Sequence, residues 1–410
     1  MHDFDDDIGV LQDAILNWAD TENGKPIVEL LPRLLDRSGV PLRLKRSYWN
    51  VLLETLREVE KSSPNESVRA IRKTIDSFER VVRAFERPDG TAIWSEVDQS
   101  AAIRSKRRRV TVADEVDGRI DPDASSTLES KTADAVPLGV FRSASDQAWL
   151  AVDDRNPVDS FRIEFGLKRR VFLGPGEFHG PLNQSDWNPN PRILVPTIHW
   201  VQGPNAHLFE WTWRSKGNNV TRTAALLGNE GVAILAEEVD NRGQGAVLRV
   251  EIPEGIEAVS IPESSSIRLI AKRGASVVVV PLALSPFPGT SDQGSLGVEE
   301  YSGKRYLVLN QPSIPGARRL WLPLAIVWRP IPSRTILRRK KLTVSEKSSV
   351  CRPGIAFAAR LPWGVGDSLL IYRSLAKKSL RAVLGHYVGS SFLLAKFNAD
   401  GDLAPIVAID

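Results

Sequence analysis

The sequence predicts a mainly β protein, a large antiparallel β-sandwich of the super-sandwich type preceded by a small α-helical bundle. From about residue 135 onward, short runs rich in β-branched and aromatic residues follow one another: VVVVPLAL at 277–284, RLWLPLAIVW at 319–328, SLLIYR at 368–373 and SFLLAKF at 391–397. Gly, Pro, Asn and Asp punctuate them at hairpin intervals. No repeat of fixed period runs through this part, which excludes a propeller or a solenoid and leaves one irregular sandwich. In the first 95 residues apolar positions recur instead every three or four residues, the helical period.

In chain order, Ile8, Leu11, Ile15 and Trp18 form a first stripe, and Trp49, Leu52, Leu53, Leu56 and Val59 a second. A third runs through Val68, Ile71, Ile75, Phe78, Val82 and Phe85, all on one helical face. Ser63, Pro64 and Glu66 supply its start, and Pro88, Asp89 and Gly90 its stop. Stripes this close in sequence bury against one another, so residues 1–95 read as a small helical bundle. Residues 96–134 carry Lys106 to Arg109 and then an Asp, Ser and Thr-rich stretch, a flexible polar linker. Residues 135–410 are the sandwich. Within it His207, Phe209, Trp211 and Trp213 alternate with Leu208, Glu210, Thr212 and Arg214, giving one aromatic and one mostly polar face. Val277 to Val280 are apolar at every position, as in a strand covered on both sides.

A chain of 410 residues has room for two or three domains and a substantial core. With 54 basic and 50 acidic residues the net charge is +4, too balanced for a dedicated nucleic-acid surface. Cys351 is the only cysteine, which excludes an internal disulfide and a cysteine-based zinc cage. The start Met-His-Asp-Phe-Asp-Asp-Asp lacks the basic and apolar segments of a signal peptide. No run reaches the ~18 apolar residues of a membrane span. The expectation is a cytoplasmic protein with neither a nucleic-acid nor a membrane partner.

Four constellations carry chemistry. Gly366-Asp367-Ser368-Leu369 has the letters of an esterase nucleophile block, but it leads into a strand, and no histidine stands three residues after an aspartate. His199 and His207 lie on neighbouring predicted strands and, with Glu210 or Glu237, are the candidate ligands for zinc; their spacing does not demand a metal, and no cofactor is expected. Tyr372 and Arg373 with His386 and Tyr387 have the groups that β-elimination on a uronate needs, a base, an acid and a cation for the carboxylate. The bland alternative is a core tyrosine beside an arginine at the sheet edge. Trp200, Trp211 and Trp213, with Arg214 or Arg222 beside them, would form a stacking platform for an acidic sugar if exposed, and plain core if buried. The basic runs at 106–109 and 338–341 read as solvated charge at element boundaries.

The blocks Phe141-Arg142-Ser143, Thr221-Arg222 within NVTRTAALL, LTVSE at 342–346, and above all YRSL at 372–375 followed by Leu384-Gly385-His386 resemble an uncharacterised bacterial family. Its β-rich part is similar to the carboxy-terminal sandwich of heparinase II/III-type polysaccharide lyases. The resemblance covers about residues 135–410 and implies a two-sheet super-sandwich, which in those lyases packs beside a helical toroid with the active site between them. About 95 residues of helix are too few for that toroid, so the resemblance carries no catalytic residue across. The leading expectation is a non-catalytic or catalytically reduced protein binding an acidic polysaccharide, a glycoconjugate or a protein partner. A polysaccharide lyase and a structural assembly module are the alternatives.

Overall fold

In the computed structural model the described residues are 31, 35, 49–62, 67–87, 91–93, 138–143, 148–154, 161–178, 197–203, 206–215, 218–241, 243, 245–272, 274–283, 294–329, 339–352, 354–362, 367–377 and 379–410. The chain divides into two compact units, one holding residues 1–95 and the other 139–410, with parts of the intervening stretch assigned to each. The stripe through Ile8 and Trp18 and the linker at 96–134 lie outside the described residues.

The described residues of the first unit include the helices α1 (Trp49–Ser62) and α2 (Ser67–Ala84). They run antiparallel, because the start of α1 meets the end of α2: Trp49 lies 6.2 Å from Phe78 and edge-on to Phe85 at 5.3 Å. Leu52, Leu53 and Leu56 of α1 and Ile75, Val82 and Phe85 are buried, as their helical spacing requires. Arg57 pairs with Glu79 at 2.8 Å and Arg72 with Glu60 at 2.6 Å along the exposed flank. After α2 the chain doubles back, Arg87 donating to the Thr91 carbonyl and Ile93 to that of Phe85.

The second unit is built from antiparallel strands. They are β1 (Leu138–Ser143), β2 (Ala148–Asp153), β3 (Phe161–Leu167), β4 (Arg170–Phe178), β5 (Thr197–Gly203), β6 (Ala206–Ser215), β7 (Asn218–Leu227) and β8 (Val232–Asp240). β9 (Ala246–Ile252), β10 (Ile256–Ile261), β11 (Ser266–Ala271), β12 (Ser276–Pro281), β13 (Ser295–Tyr301), β14 (Lys304–Gln311), β15 (Arg319–Val327) and β16 (Lys340–Lys341) follow. The last are β17 (Val344–Glu346), β18 (Ser349–Val350), β19 (Ala356–Pro362), β20 (Ser368–Ser374), β21 (Arg381–Val383), β22 (His386–Val388), β23 (Phe392–Phe397) and β24 (Leu403–Ile409).

An eight-stranded sheet, β10-β11-β12-β15-β8-β7-β6-β5, forms the centre. One of its faces packs on β1–β4 and on the sheet β13-β14-β9, closing a core that includes Phe165, Phe209, Leu235, Val279, Leu309 and Ile326. The opposite face packs on β16-β19-β20-β23-β24 through Leu208, Ile234, Val280, Trp321, Ile371 and Leu394. That third layer is covered in turn by the small sheet β18-β17-β21-β22 over Leu370, Tyr372, Val383 and Leu393. The stack is therefore four layers deep, and strands of its two inner layers carry apolar side chains on both faces. Val277 and Val279 enter one core and Val278 and Val280 the other.

Close fit at one rung shows how tightly the outermost sheet is specified. Trp149 of β2 stands opposite Gly166 of β3. A Cβ added to Gly166 would lie 2.0 Å from the Trp149 indole, so the glycine is what admits the ring.

Candidate functional site

Three consecutive rungs of the central sheet hold its buried carboxylates Glu210, Glu237 and Glu238. Along them stand His199–Glu210–Thr223–Ala236, then Ile198–Trp211–Arg222–Glu237, then Thr197–Thr212–Thr221–Glu238. Successive side chains on a strand face opposite ways, so the middle rung serves one core and its two neighbours the other.

On the first face, three of the residues expected to hold an acidic ligand converge on the chain's own acid. Asp154, just past β2, accepts from Trp211 Nε1 at 2.5 Å, Trp213 Nε1 at 2.6 Å and Arg222 Nη1 at 2.7 Å, all on one carboxylate oxygen. Arg222 Nε also donates to Glu237 at 3.1 Å. Trp211 and Trp213 are 0% and 3% exposed, so neither offers a face to a sugar, and the stacking platform the sequence suggested is here core. Trp200, on the edge strand β5, is partly exposed and leans on Phe141 and Phe209 at 5.0 and 4.9 Å. The side chain of Arg214 lies outside the described residues.

Two carboxylates share this guanidinium, and Asp154 Oδ1 and Glu237 Oε2 are buried with no hydrogen bond among the described residues. Burial pushes the Glu237 carboxyl above the usual range; Arg222 opposes the rise and nearby Asp154 adds to it. A carboxyl raised by folding binds its proton more tightly folded than unfolded. Its contribution to stability is full below the ordinary value of ~4.3 and is lost as pH climbs through the raised folded value. Glu237→Gln is expected to flatten that part of the melting temperature's fall over this window, measured by thermal unfolding across a pH series. An unchanged slope would contradict it.

On the opposite face the charges balance. Arg373, at the end of β20 and 5% exposed, reaches across from the third layer, donating from Nη1 to Glu210 at 2.5 Å and from Nε to Glu238 at 2.7 Å. Arg319 closes the second oxygen of Glu238, and Thr223 donates to Glu210 at 3.0 Å. Burial works to lower the Arg373 pKa, and Glu238 and Glu210 outweigh it, so the guanidinium is held charged. It is a counter-ion between two sheets.

Tyr372 points the other way, into the core beneath the small sheet, and is 0% exposed. Its hydroxyl accepts from Arg381 Nη1 at 3.2 Å. Arg381 also donates to Ser374 Oγ at 2.7 Å, Glu346 at 3.2 Å and the Lys377 carbonyl at 3.0 Å. His386 faces inward too, Nε2 lying 2.8 Å from the Gly401 carbonyl and the ring edge-on to Phe397. Tyr387, its neighbour, is 77% exposed on the outer face. The four residues read as one β-elimination centre are thus distributed over three levels of the stack. Arg373 lies inside the central sandwich, Tyr372 and His386 beneath the small sheet, and Tyr387 outside it.

His199 and His207 do not meet either. His199 stands opposite Glu210 in register, whereas His207 stacks on Phe141 in the other core, where burial lowers its pKa. Among the described residues no three His, Cys, Asp or Glu side chains come together as a metal cage. Ser368 begins β20 as a buried strand residue and accepts from Arg360 Nε at 2.5 Å, while Asp367 pairs with Lys396 at 3.0 Å. Gly366 lies outside the described residues.

No protein-family model matches the chain, and no curated protein matches it by sequence. Solved structures do match. Heparan sulfate lyase HepC from Pedobacter heparinus superposes at a TM-score of 0.56 with 11% identity, over 90% of this chain and 62% of the lyase. A heparinase III superposes at 0.59 with 11% identity, over 87% of this chain and 62% of its own. The fold resembles that of heparinase III. At these identities the likeness establishes architecture alone, and the chain spans 62% of the length of each of these lyases. Among the described residues no helix is long and apolar enough to cross a membrane.

Proposed function

We propose that this protein is a heparinase-fold binding protein for an acidic polysaccharide or glycoconjugate, and that it does not cleave its ligand. The observation that carries the reading is the back-to-back placement of Tyr372 and Arg373. A proton-transfer group and the cation that neutralises the substrate carboxylate must reach one sugar together, and adjacent residues of a fully buried strand cannot. Each is also already engaged, Tyr372 by Arg381 and Arg373 by two glutamates. Support for an acidic glycan comes from the shared fold with a heparan sulfate lyase and from exposed cations that no described acid neutralises.

The test is incubation with a panel of uronate-containing polymers, following ultraviolet absorbance of the unsaturated product, beside retention of the protein on the same polymers immobilised. Retention without product is the expected result. Unsaturated product from any polymer, abolished by Tyr372→Phe in a variant of unchanged melting temperature, would replace this reading with a lyase.

A further inference from the structure

The outer face of the small sheet is open and carries four of the large exposed apolar side chains: Val350 at 70%, Leu380 at 61%, Leu384 at 40% and Tyr387 at 77%. They are not scattered. In register, Val350 of β18, Ser345 of β17, Ala382 of β21 and Tyr387 of β22 form one rung across all four strands. Residues of one rung project from the same face, and the flanking positions confirm the sense: Val344, Val383 and Val388 point inward and are buried. The rung therefore has two tall ends and a floor of two small side chains, a trough roughly 14 Å wide from three inter-strand spacings. Leu380 lies toward one mouth and Leu384 at the other.

Two tight turns bound this trough, and two cations stand at its mouths. Lys347 and Ser348 join β17 to β18 with φ of 49° and 65°, and Leu384 and Gly385 join β21 to β22 with φ of 51° and 85°. Both turns have positive φ at both central residues, the hairpin geometry that matches strand twist. Lys347 thus stands at one mouth, while Arg352, following β18, stands at the other. Lys347, Arg352 and Lys377 are exposed. The acid on this sheet, Glu346, is tied to Arg381. Asp400 and Asp402 lie on the turn joining β23 to β24, which meets the sheet from its inner side at His386.

Resting on the binding reading above, we infer that this trough is where the acidic polysaccharide docks, one sugar ring stacking on Tyr387 of β22 while carboxylate or sulfate groups of neighbouring sugars across the trough meet Lys347 and Arg352 on the β17–β18 side. Tyrosine offers a flat apolar face and a polar tip, the shape that suits the C–H face of a pyranose. The small floor of Ser345 and Ala382 admits the chain, and charge complementarity selects an anionic one.

Calorimetric titration of the full chain with a heparan sulfate oligosaccharide, and with neutral dextran as control, tests this. Wild type is expected to bind the first and not the second. Tyr387→Ala and the Lys347→Glu/Arg352→Glu pair are each expected to weaken binding by about tenfold or more, with melting temperatures unchanged because all three positions are exposed. Tyr301→Ala, at another tyrosine that is 73% exposed, is expected to leave affinity unchanged. Wild-type binding that both trough variants retain would overturn this placement and leave the binding reading standing. No binding by the wild type would overturn both. A concentration-dependent dimer in light scattering that Tyr387→Ala dissolves, without glycan binding at the trough, would assign the face to a second copy of the chain and also overturn the inference.

Discussion

Replacing Arg373 with methionine is expected to destabilise the β unit by about 3–5 kcal/mol, the range for removing one partner of a buried ion pair. The side chain is almost fully buried, and its loss strands two carboxylates, Glu210 and Glu238, between packed sheets. Arg319 still reaches Glu238, and Thr223 still donates to Glu210, so the cost falls mainly on the unneutralised charge of Glu210. Arg373→Lys is expected to recover only part of the loss, because an ammonium lacks the planar fork that serves both acids at once. Denaturant midpoints at constant slope give the measure. A change within ~0.5 kcal/mol of wild type, typical of surface substitutions, would mean that Arg373 is not the clamp between the second and third layers.

Trp211→Ala is the second large effect, an expected loss of about 3–5 kcal/mol from an emptied indole site. The ring is completely buried and packs against Phe209 at 4.8 Å, and its N–H is one of three donors on Asp154. Trp211→Phe separates the two contributions. It keeps most of the volume and removes the donor, so about 1–3 kcal/mol is expected from the buried carboxylate's lost partner. Preserved stability in Trp211→Ala, with loss of a glycan-induced fluorescence change, would instead make the residue part of a ligand platform.

Much of the architecture is legible from the amino acids. Runs such as Val277 to Val280 announce a strand covered on both faces, and the alternation from His207 to Trp213 announces which side of β6 is aromatic. The helical spacing of Trp49, Leu52, Leu56 and Phe78 likewise matches the described helix pair. The site is less legible, for two different reasons. Some of the information was present as strand period: Tyr372 beside Arg373, and Glu237 beside Glu238, must face opposite cores once their strands are buried on both sides. The rest depends on register and long-range pairing. Asp154 precedes Trp211 by 57 residues, and nothing local marks it as the acid that two indoles and a guanidinium will share. Arg381, which engages Tyr372, sits in a polar stretch with no pattern of its own. The rung from Val350 to Tyr387 exists only after four short strands have been aligned.

Hydrogen exchange at the indole N–H groups of Trp211 and Trp213 asks most directly whether the residues expected to stack on a sugar are spent inside the sandwich. With both protons locked on Asp154, exchange is expected only through global unfolding, and a saturating heparan sulfate oligosaccharide is expected to slow it no more than it slows the slowest backbone amides of the same sheet. Rapid exchange in the free protein, or protection of these two protons by the oligosaccharide beyond that of the slowest backbone amides, would place them on an open ligand surface and contradict the structural role assigned to them.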